Sequence, residues 1–203
     1  MSSYQSVRGA LCYQPEPVKG SRFVARVFPI DSEVQANSII EELRLEFPDA
    51  THHCWAWHLY EQDRSRSSDD GEPGGSAGRP ILAQILGHGL ADVLVVVTRF
   101  YGGTKLGIGG LIRAYGGSAG QALDRAEQRT HFAMEFLTVV HSYGDTKGVQ
   151  AALAGEPVEV VETRYSDIVE VDLSVRVDRA EALRGALVDH TSGRVQLREP
   201  LCE

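Results

Sequence analysis

The sequence predicts an α+β protein of two domains, and three observations lead to this fold class. Segments with strand patterning alternate with segments whose apolar residues recur at helical spacing. A glycine-rich stretch, RFYGGTKLGIGGLIR (99–113), separates one such strand from one such helix. After Gln128 the alternation starts again and follows the order β-α-β-β-α-β through the last third of the chain. That order is typical of a ferredoxin-like domain.

Residues 1–131 are predicted to form the first domain. Three segments have strand character: 21–30, 51–60 and 90–98. Three have helical spacing: the segment between a cap at Asp31 or Ser32 and a stop at Pro48, then 79–89 and 109–128. The polar segment 61–78 is predicted to be one long loop, and a loop of this length in a compact domain is usually functional or mobile.

Residues 132–203 are predicted to form the second domain, a ferredoxin-like βαββαβ unit. It is expected to be a four-stranded antiparallel sheet with two helices on one face. The strands are assigned to 133–142, 158–165, 167–176 and 194–200, and the helices to 145–155 and 179–193. The two middle strands are close enough in sequence to form a hairpin.

Composition indicates a cytoplasmic protein. No apolar run approaches the ~18 residues of a transmembrane helix, so no membrane association is expected. The start, MSSYQSVRGALCYQPEP, lacks the basic and apolar regions of a secretory signal. The cysteines, Cys12, Cys54 and Cys202, are odd in number and widely spaced, as expected for reduced thiols.

The glycine-rich stretch is the main candidate binding site. The chain has a net charge of −8, yet Leu94–Leu123 contains three cations and no acidic residue. A glycine-rich backbone that leads into a helix N-terminus exposes N–H groups, and with cationic side chains these suit a phosphate. The alternative is a turn whose glycines only permit tight packing. The candidate ligand- or phosphate-binding residues are Arg99, Tyr101, Gly102, Gly103, Lys105, Gly107, Gly109, Gly110 and Arg113.

Three carboxylates in the predicted loop, Asp69, Asp70 and Glu72, form a supporting acidic cluster. They could hold Mg²⁺, which needs only one or two protein carboxylates, or supply a general base. The alternative is a capped turn, with Asp70 paired to Arg79 or Arg99. In either case we expect this loop and the glycine-rich stretch to converge on one concave face.

Other candidate catalytic and metal groups are not supported by the sequence. His52 and His53 are adjacent on a predicted strand, so their side chains point to opposite faces and cannot readily share a metal. No cysteine or further histidine has zinc-ligand spacing. Ser76 lacks the GxSxG elbow of a serine nucleophile. No catalytic residue and no resident metal are therefore assigned.

Two long motifs resemble those of the IMPACT family, which includes bacterial proteins of the YigZ type. The family patterns DDGEPxGTAGxP and VVVTRYFGGxxLGxGGLxRAYG correspond to DDGEPGGSAGRP (69–80) and VVVTRFYGGTKLGIGGLIRAYG (95–116). The departures are mild: Ser76 replaces threonine, and Phe100–Tyr101 replaces a tyrosine–aromatic pair. His52, His53 and Cys54 resemble the family's HHC-type strand, and the resemblance covers nearly the whole chain.

The resemblance implies a first domain like a small-subunit ribosomal protein and domain IV of elongation factor G. It implies control of translation, with RNA, the ribosome or a translation factor as partner, and it provides no established catalytic residue. A non-enzymatic protein that binds RNA, ribosome or nucleotide phosphate is one function class consistent with this. The others are a metal-assisted enzyme on a small phosphorylated or nucleotide substrate, and a module that binds a protein partner without nucleic acid.

Overall fold

The computed structural model describes residues 3–61 and 63–198, which form a mixed α+β structure in two compact units. One unit is Tyr4–His131, and the other contains Ser3 and the residues from Phe132 onward. The elements up to the end of the first unit are β1 (Ser3–Val7), β2 (Leu11–Tyr13), β3 (Arg22–Pro29), α1 (Glu33–Glu46), β4 (His52–Leu59), β5 (Arg64–Ser68), α2 (Gly78–Gly87), β6 (Val93–Phe100), α3 (Ile108–Leu123) and β7 (Gln128–Phe132). Those that follow are β8 (Met134–His141), α4 (Thr146–Ala154), β9 (Val158–Tyr165), β10 (Val169–Arg176), α5 (Val177–Thr191) and β11 (Gln196–Arg198).

The first unit is built around a five-stranded antiparallel sheet in the order β2-β3-β6-β4-β5. Strand β6 lies at its centre and is buried on both faces, as its apolar run predicts. Val93, Val95 and Val97 belong to the core that includes α2 and α3, whereas Leu94 and Val96 belong to the core that includes α1. The sheet is therefore sandwiched between one helix and a pair of helices.

Local sequence signals place most of these elements. Ser32 is the N-cap of α1 and accepts a hydrogen bond from Gln35 N at 3.2 Å, while the Gln35 side chain accepts one from Asp31 N. Trp57 is fully buried in the core that includes α1, and Trp55 packs against the same core. Helix α3 ends earlier than predicted, at Leu123.

The prediction of one loop over residues 61–78 is partly wrong, because Arg64–Ser68 within it forms strand β5. Arg64–Ser68 pairs with β4 in antiparallel register, with Leu59 opposite Arg64 and Trp55 opposite Ser68. The segment is short, polar and mostly exposed, so it lacks the apolar alternation that identifies a strand. Strands β1, β2 and β7 were also missed, because each is too short, at three to five residues, to show a clear alternation. Strand β1 pairs with β7 in a separate two-stranded sheet.

The second unit has the predicted βαββαβ order and sheet order β11-β8-β10-β9, all antiparallel. Its core joins one face of the sheet to α4 and α5 through residues such as Val139, Leu173, Val149 and Leu183. The ferredoxin-like expectation for this unit is confirmed.

Two further observations concern the chain as a whole. Within the described ranges, none of the helices has the length and apolar character needed to span a membrane. Cys12 is an exposed free thiol and Cys54 a buried one, and the third cysteine, Cys202, lies outside the described residues.

The fragment 131–203 is expected to fold by itself, because the core of the second unit is made of its own strands and helices. Circular dichroism should show one cooperative thermal transition. Leu173 is fully buried, so Leu173→Ala should destabilise the fragment by about 2–5 kcal/mol. A gradual melt that Leu173→Ala leaves unchanged would contradict independent folding.

Candidate functional site

The glycine-rich stretch connects the end of β6 to the start of α3. Gly107 is the N-cap of α3 with φ at +72°, a conformation that favours glycine, and its carbonyl accepts the first helical bond from Leu111 N at 2.9 Å. No described side chain caps this terminus, and its first turn contains no acidic residue. The N–H groups that precede Leu111 therefore face outward with the positive end of the helix dipole.

Gly102 has a packing role that the sequence could not show. A Cβ on Gly102 would lie 1.9 Å from the carbonyl carbon of Gly20, so the two backbones meet in direct contact. Its N–H donates to Ser21 Oγ at 3.2 Å. The glycines thus serve both interpretations made from the sequence: Gly102 permits close packing, while Gly103 and Gly107 provide positive φ angles.

Arg99 was predicted to bind phosphate, but in the structure it is buried in an ion pair. Its Nη1 donates to Glu72 Oε1 at 2.6 Å, and the two side chains are only 5% and 4% exposed. Its Nη2 donates to Ser21 Oγ at 3.1 Å. Arg99 therefore connects the acidic cluster to the glycine-rich stretch, and it is not an exposed cation.

Tyr115, from α3, adds a second donor to the same carboxylate oxygen. Its hydroxyl lies 2.7 Å from Glu72 Oε1. Burial, together with the nearby Cys54 and Glu72, raises the pKa of Tyr115 above its usual range, so the phenol keeps its proton and remains a donor. Residues from β6, from α3 and from the segment between β5 and α2 thus meet at one oxygen atom.

Asp69 caps helix α2. Its Oδ1 accepts from Ala77 N at 2.9 Å and Gly78 N at 2.8 Å, and its Oδ2 accepts from Gly75 N at 2.7 Å. Burial opposes ionisation of Asp69, but these three backbone donors outweigh it and hold the pKa of the carboxyl below its usual range. This carboxylate is a structural group.

Asp70 also has structural partners, and they are not those predicted. Arg79 and Arg99 were the expected partners, but Asp70 Oδ1 accepts from Arg44 Nη2 at 2.8 Å. Its Oδ2 accepts from His53 N at 2.6 Å. The pairing differs because Asp70, at φ +42°, directs its carboxylate toward α1 and the end of β4, which local sequence does not reveal.

The two histidines lie on opposite faces of β4, as predicted. The Nδ1 of His52 is 2.7 Å from the Asp70 carbonyl, and its Nε2 is 3.9 Å from Glu72 Oε1, so His52 is the one on the side of the candidate site. His53 is buried beside Thr98, and burial lowers its pKa. Among the described residues, no group of three or more His, Cys, Asp and Glu side chains is placed to hold a metal ion.

The remaining predicted cations lie around the N-terminus of α3, on two sides of Leu106. Lys105 lines a cavity of about 230 Å³ together with Glu72, Tyr101 and Leu106. Arg113 lines a second cavity of about 220 Å³ with Lys19.

Lys105 and Arg113 are both exposed, and neither forms a hydrogen bond or ion pair with any described residue. Lys19 was missed, because it lies far from the glycine-rich stretch in sequence and no motif marks it.

Gly110 is in the first turn of α3, where an added Cβ would lie 3.1 Å from Leu106 Cβ. A Cβ on Gly109 would lie 3.8 Å from Arg113 Nη1, so this guanidinium reaches back toward the start of the helix. The arrangement can attract an anion to the N-terminus of α3.

Removing either partner of the buried ion pair should destabilise the protein strongly, because the other charge remains buried and unpaired. Arg99→Ala and Glu72→Ala should each lower the free energy of unfolding by about 3–5 kcal/mol in urea denaturation. Arg8→Ala is the control, since the Arg8–Glu127 pair is exposed, and should cost less than about 1 kcal/mol. Equal effects of all three substitutions would show that the buried pair has no special role.

Two glycine substitutions separate the packing role of Gly102 from general glycine effects. Gly102→Ala should destabilise the protein by about 1–3 kcal/mol, because the methyl group of the alanine would collide with the Gly20 backbone. Gly117 lies within α3 with open space around its Cα, so Gly117→Ala should stabilise by about 0.5–1 kcal/mol. Thermal unfolding measures both, and a stabilising Gly102→Ala would refute the contact.

Comparison with known proteins agrees with this architecture. Residues 19–123 match the family model of the Impact N-terminal domain, and residues 139–194 match the family described as a domain of unknown function (DUF1949). A solved structure described as a hypothetical protein superposes with a TM-score of 0.70 at 32% identity, with 100% of both chains covered.

Two relatives match nearly end to end. The IMPACT family member YigZ of Escherichia coli K12 is 35% identical, over 90% of this chain and 91% of its own. An IMPACT family member of Haemophilus influenzae is 31% identical, over 98% of this chain and 97% of its own. With both motifs in place and matches of this extent, the chain belongs to the IMPACT family.

Proposed function

We propose that this protein is a non-enzymatic, cytoplasmic, translation-linked regulator that binds phosphates of single-stranded RNA at the N-terminus of α3. Its IMPACT family membership suggests a translation-related regulatory protein. The observation that most supports RNA phosphate as the ligand is the uncapped helix terminus flanked by Lys105, Arg113 and Lys19. Phosphate is the anion that this combination of backbone N–H groups and cations suits.

The overall charge makes this binding local. The chain is acidic, so its long-range field repels polyanions, and attraction depends on the few unpaired cations at α3. Arg99 is left out of the ligand set because Glu72 neutralises it. Because few phosphates are contacted, affinity should accordingly be modest and only moderately dependent on salt.

The non-enzymatic assignment is supported by the partners of the three carboxylates. Asp69 caps α2, Asp70 is held by Arg44, and Glu72 is held by Arg99 and Tyr115. Each carboxylate therefore has partners through which it holds the fold, and this favours a structural role over that of a general base. This weakens the alternative of a metal-assisted enzyme.

Salt-dependent RNA binding tests the proposal. With Lys19, Lys105 and Arg113 each neutralising one phosphate, the slope of log K against log[salt] for single-stranded RNA should be about −2. Lys105→Ala and Arg113→Ala should each weaken binding and reduce the slope by about 0.7. Fluorescence anisotropy with a labelled oligonucleotide measures both quantities.

Lys147→Ala is the matched control, because Lys147 is an exposed lysine of α4 without a charge partner among the described residues. It should leave affinity and slope unchanged. A folded Lys105→Ala/Arg113→Ala double variant that binds RNA like the unmodified protein would refute the proposal. Phosphoester turnover by pure protein, abolished by Asp70→Asn, would favour the enzyme instead.

A further inference from the structure

We infer that the cavity beside Lys105 binds the base of a nucleotide whose phosphate lies on the N-terminus of α3. This inference rests on the proposed function, since the same helix terminus supplies the phosphate subsite. It adds a ligand class and an orientation, and it gives Glu72 Oε2 a role as the acceptor for an N–H group of the base.

The cavity has the size of one ring system. Its volume is about 230 Å³, below the roughly 300 Å³ at which pockets begin to enclose drug-sized ligands. The start of α3 contributes Gly107 and Ile108 to its lining. A ligand in the cavity can therefore place its remaining part at the helix terminus.

The walls suit a flat apolar ring. Tyr101 is 47% exposed and Ile108 61% exposed, and both line the cavity with Leu106. The Arg99 guanidinium lies 5.4 Å from the Tyr101 ring centroid, which is within cation–π range and helps to orient the ring. An oriented, accessible tyrosine beside a phosphate site is the arrangement used for base stacking.

Glu72 lines the cavity and has one oxygen without a hydrogen-bond donor. It receives its hydrogen bonds from Arg99 and Tyr115 on Oε1, and no described residue donates to Oε2. Glu72 Oε2 can therefore accept a hydrogen bond from an N–H group of an occupant. Every standard nucleobase has an N–H group that can donate to it.

Charge sets the direction of the ligand. Among the lining residues, Glu72 is paired with Arg99, whereas Lys105 and the N-terminus of α3 have no acidic partner and attract a phosphate. An occupant that uses all of these features combines an N–H donor, a flat ring and an anionic group. A nucleoside monophosphate, free or at the end of an RNA chain, has this combination.

Calorimetric or NMR titration of the full-length protein with three phosphates tests the inference. Adenosine monophosphate should bind about tenfold more tightly than ribose 5-phosphate, because only the former has a ring to stack. It should bind about fivefold more tightly than purine riboside 5′-monophosphate, whose base lacks an N–H group for Glu72. Comparison with a 5′-phosphorylated oligoadenylate distinguishes a free nucleotide from an RNA end.

Tyr101→Ala should weaken the binding of adenosine monophosphate about tenfold and leave the binding of ribose 5-phosphate unchanged. Tyr143→Ala is the matched control, since Tyr143 is an exposed tyrosine of the second unit, and should change neither. Glu72→Gln, if it folds, should abolish the preference for adenosine monophosphate over purine riboside 5′-monophosphate. The Tyr101 variant tests the cavity even if the Glu72 variant does not fold.

The possible failures are distinguishable. Equal affinity for all three phosphates, with loss on Lys105→Ala, would overturn the base cavity and leave the phosphate site standing. If the protein discriminates between bases, but Lys105→Ala and Arg113→Ala do not weaken nucleotide binding, the phosphate site would be overturned instead. No binding of adenosine monophosphate up to about 10 mM would overturn the inference.

Discussion

The buried ion pair between Arg99 and Glu72 joins the parts of the first unit that form the candidate site. Arg99 ends the central strand β6, Glu72 lies in the segment before α2, and Tyr115 of α3 donates to the same oxygen. Two charges removed from water are stable only with good geometry and further hydrogen bonds. Here Ser21 and Tyr115 supply those bonds, so the position of each loop depends on that of the other.

This constraint divides the charged residues into two groups with different roles. The carboxylates of Asp69, Asp70 and Glu72 are each held by donors of the fold, and together they fix the start of α2, the start of β4 and the end of β6. Lys105 and Arg113 are left without carboxylate partners in the described structure, beside a helix terminus that no described side chain caps. An acidic protein thus has a small group of unpaired cations here, because the nearby acids already have other partners in the fold.

The second unit differs in how its charges are used. On the sheet face opposite the helices, Arg164 bonds to Asp172 at 2.5 Å and to Glu162 at 2.6 Å, so its charge is matched locally. Asp145 likewise accepts from Arg194 at 2.8 Å. These cations are paired, and the last third of the chain has more acidic than basic residues, so our proposal places the phosphate site in the first unit.

The sequence by itself determined the fold class, the long strands and helices, and the motifs that identify the family. These follow from local periodicity, from caps such as Ser32 and from unusual glycine spacing, all of which are visible along the chain. It could not reveal strand β5, whose polar residues form a strand only because β4 offers an edge to pair with. The sequence also could not show that Arg99 is buried and paired whereas Lys105 is exposed and unpaired. Nor could it show that Asp70 and Glu72 have different partners. Which cation is neutralised and which remains free depends on contacts between residues distant in sequence, and only the tertiary structure decided that.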